Sequence, residues 1–259
     1  MEKILSTAIE EDLKKIDSIK DRLEEVIRWG LKTRNRNGYF ACLYKNITGR
    51  VKDAIQKNEF EDGERMVAFV VHFANYYLNA LEKYTANSLD PSSPWYQVFE
   101  VGKQKRAIVQ HMLLGVNTHI NFDLPNTCIA IAPGESLLSL CNDFVKINSI
   151  LSSAIKEVED QIFSISPLLA ITGKLMPKFE RQILNFSINV ARCKSWECAC
   201  LQALASAEEQ NEIREKSKEA TLEIARRILS PGKLANPFIW LVSLLEVKGM
   251  KRNLKVLNS

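Results

Sequence analysis

Between Gln104 and Pro125 the chain reads QKRAIVQHMLLGVNTHINFDLP, a helically spaced stretch that is apolar on nearly every side yet carries two histidines, two asparagines and an aspartate. A helix that is apolar all round has no surface to lie on, so the rest of the molecule must be built around it. At about 100° per residue, His111, Met112, Gly115, His119 and Asp123 share one broad face, with His119 and Asp123 one turn apart. Asn117 and Asn121 form a second polar pair on the opposite face. Each polar group buried without a partner costs roughly 1–3 kcal/mol, so each must find a hydrogen bond, a water, a metal or a ligand. The stretch marks a site without naming a reaction.

The flanking sequence is helical as well. Among 259 residues there are 10 glycines and 8 prolines, and the intervals between them repeat with a period near 3.6 rather than alternating. A first helix is expected after Ser6 or Thr7, with Ile9, Leu13, Ile16, Leu23 and Ile27 facing inward. A second follows the TRNRNG loop and carries Phe40, Leu43, Tyr44, Ile47 and Val51 on one side. The third, VAFVVHFANYYLNAL, has His72, Asn75, Tyr76 and Asn79 at i, i+3, i+4 and i+7, a polar stripe expected to be buried. Pro94 suits the start of a short helix, Pro125 is read as the end of the central one, and NTCIAIAPGE as a loop. From Ser195 to Leu229 no glycine or proline occurs, which leaves a long helix or a broken pair. No repeat, linker or composition shift divides the chain. The expectation is an all-α fold: residues 1–259 as one domain, a bundle of about eight to ten helices around a central helix over 104–124, with a mobile basic tail at 248–259.

A formal charge of +4, from 35 basic and 31 acidic side chains, makes no case for nucleic acid. Acidic residues interrupt MEKILSTAIEEDLKK too early for a secretory segment, and no run reaches the roughly 18–20 apolar residues of a membrane span. A cytoplasmic protein is expected. Cys42, Cys128, Cys141, Cys193, Cys198 and Cys200 form no CxxC pair and are read as mostly buried free thiols.

All three histidines, His72, His111 and His119, fall on the two helices expected to be most buried. With Asp123 they offer donors that zinc, iron or manganese accept, although no HExxH or ExxH pair is present and His111 and His119 are turned about 80° apart. His119 and Asp123 are the tentative metal ligands. Without a metal, a His-Asp pair at i, i+4 suits general acid-base work, the carboxylate fixing the imidazole tautomer, and Tyr76 would serve as a proton donor. Asn117, Asn121, His72, Asn75 and His111 are then candidates for holding substrate. The alternative is a core network that only specifies the fold. Gly115 is read as a point of close packing, Asp143 as a solvent carboxylate. The basic end KGMKRNLKVLNS after FIWLVSLLEV suggests weak contact with a membrane surface or a partner helix. P-loop, GxGxxG, GxSxG and DDxxD motifs are absent.

The segment HMLLGVNTHINFDL, with FANYYLNAL before it and ARCKSWECACL after it, resembles an uncharacterised, mainly bacterial, all-helical family of unknown function. Its Gly-x-Asn-x-His-Ile-Asn-x-Asp-Leu pattern is met by Gly115, Asn117, His119, Ile120, Asn121, Asp123 and Leu124. Weaker features are met by Phe73, Ala74 and Tyr77, and by Ala191, Arg192, Trp196 and Ala199. The resemblance runs from about Ile9 to about Leu204 and implies a shared helical fold and polar centre. It carries over no activity, and it places the weight on Asn117, His119, Asn121 and Asp123. The leading expectation is an enzyme acting on a small, largely apolar metabolite, with His119 assisted by Asp123. The other is a non-enzymatic helical module binding a lipid or a partner protein.

Overall fold

In the computed structural model the backbone is described for all residues except 1, 176, 234, 248 and 259, and side chains outside 1–10, 155, 172–187, 234, 248 and 259. Helices α1 (Glu2–Thr33) and α2 (Gly38–Gln56) form an antiparallel hairpin, and α3 (Gly63–Thr85) packs along both. Asp62 starts α3 by accepting the Arg65 N–H at 2.9 Å, which satisfies one of the donors a helix start leaves free. The short α4 (Pro94–Val101) begins on its proline, as its sequence suggests. Helix α1 begins at Glu2, a turn ahead of the expected Ser6 or Thr7 start. The side chain of Ile9 lies outside the described residues, as does Lys248.

The central stretch is longer than expected and is broken rather than ended. It comprises α5 (Ile108–Thr118), a π-helical turn (His119–Asp123) and α6 (Leu124–Ile131), so NTCIAI is helix and not loop. A 3-10 turn (Gly134–Leu140) leads into α7 (Cys141–Ile165), followed by α8 (Pro167–Leu175), α9 (Pro177–Leu204), α10 (Ala207–Leu229), α11 (Ala235–Leu245) and α12 (Met250–Leu257). The glycine-free stretch after Ser195 is the broken pair. Ser206 caps α10 in a reciprocal capping box with Glu209, its Oγ accepting the Glu209 N–H and its own N–H donating to the Glu209 carboxylate. None of the described residues is in a β-strand, and among them no single helix is long and apolar enough to cross a membrane.

Apolar burial follows two clusters. One joins α1, α2, α3, α4 and α5 around Tyr39, Phe40, Tyr77, Trp95 and Phe99, and the other joins α1, α3, α6 and α7 around Met66, Phe69, Leu124, Leu140 and Phe144. At roughly 1.5–3 kcal/mol for each fully buried large side chain, these clusters are the main source of stability. Val71 and Phe73 pack against both. The π turn lies at this joint.

Two expectations change here. The basic tail is a helix, α12, with Leu254 and Leu257 buried and the Leu254 carbonyl accepting the Cys42 thiol. Asp143 is not a solvent carboxylate. It is 1% exposed, accepts the backbone N–H groups of Glu61 and Asp62, and pairs with Arg65 at 2.8 Å, fastening α7 to the start of α3. The six cysteines are free thiols, and burial pushes Cys42 and Cys128 up to about 12.

Candidate functional site

The π turn is where backbone and side chains of the central stretch combine. Leu124 N–H donates to the His119 carbonyl, five residues back, and Pro125 has no N–H with which to continue either helical register. The carbonyls so exposed are taken by side chains. Ser217 Oγ of α10 donates to Asn121 O at 2.7 Å. Ser195 Oγ of α9 lies 2.6 Å from Ile120 O and 2.9 Å from Ala191 O. Asn126 Nδ2 donates to Phe122 O, and Thr127 Oγ1 to Asp123 O. Four successive carbonyls are thereby satisfied, which lets a bulged turn sit inside the protein.

The bulge brings His119 and Asp123 together. His119 Nδ1 and Asp123 Oδ2 are 2.8 Å apart, and the same oxygen accepts Trp95 Nε1–H at 2.9 Å. The two side chains are 4% and 1% exposed. Around the imidazole stands a box of rings: Phe73 is stacked on it at 3.5 Å and 8°, Tyr44 meets it edge-on at 4.5 Å, and Phe40 and Trp95 close the sides at 5.9 and 6.0 Å. Gly115 is what lets Phe40 in, since a Cβ there would stand 2.3 Å from the Phe40 ring. Burial holds His119 well below the ordinary histidine range and pushes Asp123 well above the carboxylate range, the latter opposed by the Trp95 N–H. Both shifts favour the uncharged forms of the two groups, and Nδ1 and Oδ2 are close enough to share a proton. His119 Nε2, Asp123 Oδ1 and Tyr44 Oη are buried without a protein hydrogen-bond partner.

The other expected site residues lie elsewhere. Asn117 donates to the Thr221 carbonyl and accepts Asn121 Nδ2–H at 2.9 Å, so the asparagine pair fastens α5 and the π turn to α10. His111 is buried beside Tyr39, 6.2 Å between rings, and burial, aided by Arg36 and Arg106, pushes it down to about 3. The stripe on α3 is half-buried to exposed rather than buried: His72 stands edge-on to Tyr76, Asn75 accepts from Arg22 at 2.9 Å, and Asn79 is exposed. The α3 residue that reaches the pair is Phe73, one position further round from His72, while Tyr77 packs on Phe40, Tyr44 and Trp95 of the surrounding rings. Tyr76 faces a surface cleft, and burial raises its hydroxyl above the ordinary tyrosine range. Phe40, Tyr44, Trp95, Ser195 and Ser217 complete the site and were not expected there. Their only signal in the sequence is that Phe40 and Tyr44 sit at i, i+4 on the inward face of α2.

As a metal site the centre has two donors. His119 Nδ1 is already engaged by Asp123, and among the described residues no three His, Cys, Asp or Glu side chains converge on a point where an ion would sit. Arg192 and Trp196 are structural: Arg192 bonds Asn148 and the Phe144 carbonyl and lies over the Phe144 ring, and Trp196 packs against the same ring.

A family model described as a family of unknown function, DUF5995, matches residues 16–231. No curated protein and no solved structure matches the chain.

Proposed function

The chain belongs to this family of unknown function, so an activity has to be argued from the centre itself, and we propose that the protein is an enzyme whose His119–Asp123 pair transfers protons to and from a small, largely apolar molecule. The observation that carries the reading is the clustering of His119 Nε2, Asp123 Oδ1 and Tyr44 Oη, three buried polar atoms without protein partners, inside a box of aromatic rings. Leaving them so costs roughly 1–3 kcal/mol each, a cost that a fold-only network would avoid. The proton inventory gives the pair a direction. As Nε2 gives its proton to substrate, the carboxyl proton crosses from Oδ2 to Nδ1, and the resulting carboxylate keeps the Trp95 N–H. Return of a proton to Nε2 reverses both movements, so the pair serves as acid and then as base. Phe73 and Tyr44 hold the ring edge in place, and the apolar walls exclude water.

Incubating a small-molecule cell extract with the wild type, His119→Gln and Asp123→Asn, and following it by mass spectrometry, tests the reading. At least one compound should be consumed by the wild type and by neither folded variant. Equal profiles for all three would refute it.

A second reading rests on α11, whose Trp240 and Leu245 are 63% and 52% exposed, with Leu241 and Leu244 beside them and the exposed Lys251 and Arg252 following. That arrangement suits contact with an anionic lipid surface. Trp240→Ala together with Leu245→Ala should release the protein from phosphatidylserine vesicles in a sedimentation assay. Unchanged sedimentation, or none with the wild type, removes this reading.

A further inference from the structure

Next to the buried pair, α3, α6, α9 and α10 enclose a surface cleft of about 490 Å3. Among the described residues that line it, the one cationic side chain is Arg214 of α10. Four amides from three helices hold this guanidinium: Nε donates to Asn126 Oδ1 and Gln202 Oε1, both at 3.2 Å, and Nη2 to Gln210 Oε1 at 3.3 Å. Nη1 donates to Asn211 Oδ1 at 3.3 Å. Three of these amides are themselves held, Asn126 by Phe122 O, Gln202 by Cys198 Sγ, and Gln210 by the carbonyls of Gln202 and Ala205. No carboxylate of the described residues pairs with Arg214, and each Nη keeps one N–H uncommitted. A half-buried arginine ordered by neutral groups alone is a cation set in position with its counter-charge left to come from outside. Tyr76 lines the same cleft from α3. Ile129, Ala130, Pro133 and Ala203 give the remaining wall an apolar character.

We propose that this cleft binds a small organic monocarboxylate, its carboxylate on the free Nη1 and Nη2 donors of Arg214 and the Tyr76 hydroxyl, its aliphatic part along Ile129 and Ala203. One guanidinium with neutral neighbours matches a single negative charge, and its forked donors match the two oxygens of a carboxylate. As a statement about substrate the inference rests on the acid–base reading above, because Asn126 lies within a turn of Asp123 and Tyr76 one turn beyond Phe73, the ring stacked on His119. As a binding site it stands alone.

Calorimetric titration of the full chain with hexanoate, hexanamide and inorganic phosphate tests it. Hexanoate should bind saturably, with hexanamide and phosphate weaker by about tenfold or more, the value of a charge-assisted hydrogen bond. Arg214→Gln should lose at least about tenfold in hexanoate affinity. Ala130→Trp, at an exposed position that leaves the Arg214 network untouched, should do the same by filling the apolar end, and thermal melts establish that each variant is folded. Absence of saturable hexanoate binding, undiminished binding in both folded variants, or phosphate binding as tightly as hexanoate would each overturn the proposal. Hexanoate binding without turnover of any extract compound sinks the acid–base reading alone, and turnover without hexanoate binding sinks the cleft alone.

Discussion

Phe40 and His119 show how single residues set the centre. The ring of Phe40 occupies the space that Gly115 leaves empty and from there stands edge-on to the imidazole, 78° between planes. Gly115→Ala would gain up to about 1 kcal/mol of helix propensity. Its Cβ would meet the root of the Phe40 side chain and not a flexible end, so the backbone has to move, an overpacking cost of about 1–3 kcal/mol. A thermal melt should therefore show a lowered Tm, and a raised one would mean that Phe40 is not seated on Gly115. Protonation is the second test at this scale. Burial depresses both His111, to about 3, and His119. Their unfolded forms take up protons below an ordinary pKa of about 6.5, so the stability they contribute is present above that pH and is lost as pH falls toward the folded values. In NMR titrations their Hε1 resonances should stay fixed from about pH 8 to about pH 5. A midpoint near 6 for His119 would show a charged imidazole and an ion pair instead of a neutral one.

At the scale of elements, the π turn depends on two serines from distant helices. Ser217→Ala leaves the Asn121 carbonyl without its hydroxyl donor, and Ser195→Ala does the same to Ile120, each at a cost of about 1–3 kcal/mol. Because both act on one turn, the double variant should depart from additivity in chemical denaturation, and strict additivity would mean that the two carbonyls are satisfied independently of the bulge. This is also where the sequence stopped being legible. The His119–Asp123 pairing follows from spacing within one helix, and Gly115 reads there as a point of close packing. Pro125 misleads because its meaning depends on donors 75 and 96 residues from the carbonyls they serve, Ser195 for Ile120 and Ser217 for Asn121. The α3 stripe misleads for a related reason. That helix is packed against α1 and α6 together, so apolar residues cover most of its circumference, and the polar positions His72, Asn75 and Asn79 mark its outer side, although their neighbours in sequence make them look internal.

Across the whole molecule, the chain end is fastened to the central helix through one carboxyl group. Glu246 lies between α11 and α12, and its Oε1 accepts the Ile108 N–H at the start of α5 at 2.8 Å and the Ser166 hydroxyl at 3.1 Å. Val247 N–H donates to Ile165 O beside it, and Asn253 Nδ2 to Val247 O, so the linker, α12 and the α7–α8 junction form one unit. Burial raises Glu246 to about 7, against the pull of both hydrogen bonds and of the Arg36 cation. A raised carboxyl pKa means that the folded protein holds a proton which the unfolded chain releases above about 4.5, so the contribution is complete below that pH and is lost as pH rises through about 7. Glu246→Gln cannot titrate and keeps an oxygen for Ile108. Relative to the wild type it should therefore gain up to about 3 kcal/mol of unfolding free energy between about pH 5 and about pH 8, read from urea denaturation at the two values. The opposing loss from His111 on the acid side is common to both proteins and cancels in the difference. A difference that stays constant with pH would mean that Glu246 is ionised throughout, and that the chain end is held by a charged carboxylate instead of by a group poised near neutrality.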